Sequence, residues 1–184
     1  MKIYHNNYYR ANNNGFTLIE MLATVIILGI IGAIAAPNLM ALFSHHRVNN
    51  ALSIINGAVK EAQRQAIRQG ISCTVTINPG DNDPGERTIA AVPASCLPEV
   101  RLIDDDVDIA NDDITVRVNL VPTANEITFS AKGNTTSGGT IAVFSDSSDT
   151  QRCFVIANGL GITRTGNYTG PNADPVNAPQ CDSN

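Results

Sequence analysis

The sequence predicts an α+β fold: a long N-terminal α-helix, membrane-spanning in its first half, packed on an antiparallel β-sheet domain. Three observations predict it. Phe16 to Ala36 is almost uninterrupted apolar sequence. From Val48 to Ala66 the apolar residues recur at helical spacing. Beyond Gly70 the apolar period drops to 2, as in strands with one buried face. At 184 residues the chain can hold one cored domain and an appendage.

The segment Met1–Gly15 is polar, rich in asparagine, and contains Lys2 and Arg10 but no acid. A secretory signal places its apolar run before the cut; here that run begins after Gly15. The order predicts a cut that leaves the apolar stretch on the mature chain. Phe16 to Ala36 covers 21 residues, roughly 31 Å of α-helix and enough for one bilayer core. Lys2 and Arg10 place the N-terminus in the cytoplasm and the rest across the membrane.

Glu20 interrupts the apolar run. A carboxylate deep in a bilayer costs roughly 2.5–3.5 kcal/mol. It either snorkels to the near interface, or it meets a partner charge. The α-amine that cleavage would create on Phe16 of a neighbouring subunit is one such charge. Pro37 removes a backbone hydrogen bond and clashes one turn back, which predicts a kink. Gly29/Ala33 and Gly32/Ala36 are small-xxx-small pairs that let helices approach closely, or ordinary glycines of a membrane helix.

Gly15-Phe16-Thr17-Leu18-Ile19-Glu20, an apolar helix and then Pro37 together resemble the prepilin signature of type IV pilins and type II secretion pseudopilins. The resemblance covers about the first forty residues. It implies cleavage between Gly15 and Phe16 by a prepilin peptidase, N-methylation of Phe16, docking of Glu20 into a filament, and a helix kinked at Pro37.

After Pro37 the helix turns amphipathic. Val48, Leu52, Ile55, Val59, Ala62 and Ala66 form one stripe, with Arg47, Asn49, Asn50, Ser53, Lys60, Glu61, Arg64 and Arg68 elsewhere. The stripe predicts packing on the protein's own sheet, in preference to a coiled-coil partner. Gly70 is the expected helix stop. Strands are expected at residues 71–77, 88–92, 114–120, 126–131, 140–145, 152–157 and 161–165.

The four cysteines, Cys73, Cys96, Cys153 and Cys181, are scattered and lack zinc spacing, which points to two disulfides in an oxidising compartment. Four cysteines allow three pairings. Proximity in sequence selects Cys73–Cys96 and Cys153–Cys181. Residues 167–184 are poor in apolar side chains and contain Pro171, Pro175 and Pro179, so they are expected as a tail fastened by the second bridge. The expected organisation is a leader (1–15), a transmembrane assembly half-helix (16–40), an amphipathic half-helix (41–70), a β-sheet domain (71–166) and the tethered tail (167–184).

The stretch from Glu126 to Gly166 also resembles the GspH/FimT/FimU group of minor pilins and pseudopilins. Phe129 and Gly133 fit its Phe-x-x-x-Gly strand end, Gly138 and Gly139 its Gly-Gly hairpin, and Gly161 its terminal Gly-Arg-x-Arg segment. Of that segment's arginines only Arg164 is present, since Ile162 replaces the first. The resemblance implies two small antiparallel sheets packed with the helix. It implies a minor pilin acting in the initiation of pilus assembly near the tip, in motility or adhesion. A type II secretion pseudopilin and a DNA-binding minor pilin are the alternatives. For the last, Arg152 and Arg164 are the candidate contacts.

Without the leader the chain keeps 10 basic and 17 acidic residues, a net charge of −7. Such a chain attracts neither nucleic acid nor an anionic membrane surface overall. His5, His45 and His46 all precede the β-domain, so no histidine-based triad can form there. The acids Asp104, Asp105, Asp106, Asp108, Asp112 and Asp113 lack EF-hand spacing and read as a solvated loop. No enzyme activity, cofactor or metal is expected. The expected partners are major and minor pilins through the N-terminal helix, the prepilin peptidase, and the inner membrane before assembly into a surface pilus.

Overall fold

The computed structural model describes residues 15–80, 87–104, 114–145 and 148–182, apart from the side chains of 35–38 and 40. The expected leader before Gly15 and most of the acidic loop lie outside these residues. The chain divides into two compact units between Leu39 and Met40. A single helix, α1 (Leu18–Gln69), contributes to both.

In the first unit Thr17 caps α1. Its Oγ1 accepts the Glu20 N–H at 3.3 Å and its carbonyl accepts the Met21 N–H at 3.2 Å. Thr17 and Glu20 stand in capping-box spacing, with a negative charge in the first turn, where the helix dipole favours it. Every described side chain from Phe16 to Ile34 is exposed. Among the described residues no helix is long and apolar enough to cross a membrane. Pro37 falls within α1, but its side chain lies outside the described residues, and with it the expected kink.

In the second unit the amphipathic stripe is core. Val48, Leu52, Ile55, Val59, Ala62 and Ala66 are buried in one cluster with Val75, Ile77, Ile89, Ile127, Phe129, Ile141 and Phe154. The stripe therefore packs on the protein's own strands, and alanines at 51, 58, 62 and 66 let them come close. Gly70 ends the helix at φ +65°, and the Ile71 N–H bonds the Ala66 carbonyl at 3.2 Å. This six-to-one closure satisfies an otherwise orphaned helix carbonyl.

Two antiparallel sheets follow. One comprises β1 (Cys73–Asn78), β2 (Thr88–Val92), β3 (Arg101–Leu102) and β5 (Glu126–Phe129), in the order β3-β2-β1-β5. The other comprises β4 (Ile114–Val121), β6 (Gly138–Ser145), β7 (Ser148–Ile156), β8 (Thr163–Tyr168) and β9 (Cys181–Asp182), in the order β4-β6-β7-β8-β9. Two-residue strands such as β3 and β9 are too short to show a period, so the pattern cannot announce them. Gly138 and Gly139 do not form a hairpin turn. They open β6, paired with Val121 and Leu120 of β4. A Cβ on Gly139 would stand 2.0 Å from the Asn119 carbonyl oxygen, so only glycine permits this pairing.

The expected boundary between domain and tail, at 166/167, falls inside β8. The C-terminal segment is a strap on the second sheet. Val176, Tyr168 and Cys181 are buried in a second cluster with Ala142, Phe144, Cys153 and Val155, on the sheet face opposite α1. Polar hooks hold the strap along its length. Arg117 donates to Asn172 Oδ1 (2.9 Å) and pairs with Asp174 (3.0 Å), and Asn119 donates to the Val176 carbonyl (2.8 Å). Tyr168 Oη donates to Gln180 Oε1 at 2.7 Å. The segment has little apolar content, but it places its few apolar side chains where sheet residues await them.

Candidate functional site

The N-terminal motif is open. A Cβ added at Gly15 would meet nothing within 4 Å, and Phe16 is 77% exposed just before the helix. Glu20 is also exposed and makes no ion pair among the described residues. Gly29 and Gly32 leave bare helix surface, with nothing near an added Cβ. The described side chains thus form a capped apolar rod carrying one carboxylate near its start.

Two disulfides are formed, Cys73–Cys96 and Cys153–Cys181, each with Cα atoms 5.8 Å apart. The first ties β1 to the turn after β2. The second joins β7 to β9 and closes the strap over the second sheet.

The two candidate DNA contacts are not brought together. In the β7–β8 ladder Arg152 pairs with Asn167, and Arg164 pairs with Val155. Side chains alternate faces along a strand, so the two arginines leave the sheet on opposite sides. Their bonds agree. Arg152 donates to Asn49 of α1 at 2.8 Å and to Asn167, whereas Arg164 donates to the Ala178 carbonyl of the strap at 2.9 Å. Both guanidinium groups serve internal contacts, and no single nucleic-acid strand lies against both.

The motif glycines have a structural role. Gly133 (φ +79°) and Gly161 (φ +67°) turn towards the helix, where Gln63 Nε2 donates to both of their carbonyls, at 2.9 and 3.1 Å. A Cβ on Gly133 would meet Ile67 at 2.7 Å, and one on Gly161 would meet the Gly133 carbonyl oxygen at 2.7 Å. No motif marks Gln63 in the sequence. Two sets of ion pairs are equally hidden there. Arg47 on α1 reaches both oxygens of buried Asp104, at 3.1 and 3.2 Å, with Arg87 3.8 Å away. Arg101 pairs with Glu61. Asp104 is therefore not part of a solvated acidic loop. It anchors the chain after β3 to the helix, while Asp105 to Asp113 lie outside the described residues. Among the described residues no cluster of three metal-ligating side chains occurs.

An exposed apolar rod behind a glycine and a disulfide-bonded domain built on its continuation define a subunit of the pilin type. Family models match accordingly: the prokaryotic N-terminal methylation motif over residues 10–36, and type II transport protein GspH over residues 54–161. The second match covers more than half of the chain, and the protein belongs to that family, within the group of type IV minor pilins and GspH-like pseudopilins. Two fimbrial proteins of Pseudomonas aeruginosa are each 29% identical to it over 168 residues, spanning 90% of this chain and 96% of theirs. No solved structure matches. The family consists of structural, non-enzymatic subunits. The N-terminal motif implies processing by prepilin peptidase, a membrane-anchored form, and association with other pilins in a surface pilus.

Proposed function

We propose that this protein is a minor pilin of a type IV pilus that takes part in starting filament assembly near the tip, in service of motility or adhesion. The exposed apolar run from Phe16 to Ile34 carries this reading. The second unit already has a core of its own, and exposed apolar surface of this extent marks a membrane or protein interface. In the proposed sequence of events the chain inserts as a single span, N-terminus in the cytoplasm and β-domain in the periplasm. Prepilin peptidase cuts between Gly15 and Phe16, and Phe16 is N-methylated. The apolar half-helix then moves from lipid to filament, with Glu20 directing docking and Pro37 bending the rod. A likeness to fimbrial proteins over nearly their whole length supports a pilus subunit.

The family description as a type II transport protein favours a second reading, a secretion pseudopilin. Deletion and complementation separate the two. Loss of surface pili with secretion intact supports the pilus reading, and the reverse supports the pseudopilin. DNA capture ranks last, because Arg152 and Arg164 occupy opposite sheet faces.

A further inference from the structure

The solvent side of α1 in the second unit carries a concentrated positive charge on an acidic protein. Lys60, Arg64 and Arg68 lie four residues apart, one ridge with steps of about 6 Å along the helix. All three are exposed and none makes an ion pair among the described residues. Residues 40–69 contain a single acid, Glu61, and it is taken by Arg101. Lys132 is a further exposed cation, next to Gly133, which lies against Ile67 and Gln63 of α1. The helix dipole accounts for a cation in the last turn, as at Arg68, but not for Lys60 or Lys132.

Beside the ridge stands an apolar patch. Ile67 is 52% exposed, and Leu160 and Ile162, on either side of Gly161, are 67% and 62% exposed. Gln63 bonds the Gly161 carbonyl and Ile67 lies one helical turn further along α1, so Leu160 and Ile162 flank the point where this glycine turn docks on the helix. Apolar residues rimmed by charge form the anatomy of a protein interface. A site for nucleic acid would carry stacking aromatics or a longer basic track, and no Phe, Tyr or Trp lies between Ser44 and Arg101.

We infer that this face docks the acidic surface of a neighbouring subunit of the same prepilin class. The inference rests on the subunit reading above and deepens it by naming the surface used. Charge complementarity identifies the occupant: without residues 1–15 this chain carries −7, and a subunit of this kind presents acids in excess to the ridge.

The test uses the full chain in its own cells, with a photo-crosslinking residue in place of Leu160. The expected product is an adduct with an identified prepilin-motif subunit, joined at a peptide containing Asp or Glu. Lys60→Glu/Arg64→Glu/Arg68→Glu should lower its yield at least about fivefold, a charge-pair effect, while Lys60→Arg/Arg64→Lys/Arg68→Lys keeps it. Protease resistance of the β-domain checks the fold, and Lys60→Gln/Arg64→Gln/Arg68→Gln replaces the reversal variant if that variant is cleaved. Undiminished yield after charge reversal overturns the inference, as does an adduct to lipid or a nuclease-sensitive adduct. So does the lack of any adduct in filaments that contain the chain. Absence of the chain from filaments and secretion complexes alike would instead bring down the subunit reading itself.

Discussion

Glu20 occupies the third position of α1, where its own N–H is bonded to Thr17. The cap is therefore independent of the carboxylate, and Glu20→Ala should leave helix start, insertion and cleavage intact. What it removes, under the proposed docking, is the charge that would meet a neighbour's Phe16 amine. Losing one partner of a desolvated pair typically costs about 2–5 kcal/mol, more than about tenfold in occupancy. The filament-borne fraction, measured by immunoblot of sheared pili against membrane-held subunit, should fall by at least that factor. Unchanged incorporation would leave Glu20 as a snorkelling residue. Gln63 offers a second residue-scale test. Gln63→Ala deletes two hydrogen bonds to carbonyls and should cost about 1–3 kcal/mol, read as a lower urea midpoint. An unaltered midpoint would mean that the glycine turns hold themselves. As a candidate, Glu20 stands out in the sequence because a charge in an apolar run is conspicuous. Gln63 was not, because an amide among helix polar residues shows its partners only after folding.

The C-terminal strap shows how elements escape a pattern. A strand announces itself by alternation over several residues, and β9 has only two. The strap is instead specified by single contacts, namely Val176 into the second cluster, Arg117 and Asn119 on β4, and the Cys153–Cys181 bridge. The helix and the longer strands were legible because burial repeats along them. Strand β8 runs past its expected end at residue 165 to Tyr168. Asn167 and Tyr168 resemble a turn in sequence, yet both have ladder partners and Tyr168 is buried in the second cluster. Cys153→Ser should cost about 2–5 kcal/mol and free the strap. Uncovering Phe144 and Val155 should then raise binding of a hydrophobic dye, measured by fluorescence on the native protein. A variant of unchanged stability and dye binding would show that the polar hooks suffice. Peptide mapping without reduction should recover Cys153 joined to Cys181 and Cys73 joined to Cys96.

At the scale of the molecule, charge and apolar surface divide the labour. Without residues 1–15 the chain carries −7, its arginines on β7 and β8 are hydrogen-bonded within the chain, and exposed cations stand on α1. The full chain in detergent should accordingly shift no DNA near physiological salt, where binding through phosphates depends on counterion release. Micromolar binding abolished by both Arg152→Ala and Arg164→Ala would require those side chains to leave the contacts they now make. The two-part organisation was legible because it follows from hydropathy over many residues. The separation of Arg152 from Arg164 was not, because it depends on the register of one ladder. The central claim is that the apolar rod begins at a cleaved terminus. Mass spectrometry of the N-terminal peptide of the protein recovered from cells tests it most directly. The expected result is a chain beginning at Phe16 with one added methyl on its amine, and full-length precursor in a Gly15→Val variant. A mature protein beginning at any other residue, or still carrying Met1, would contradict it.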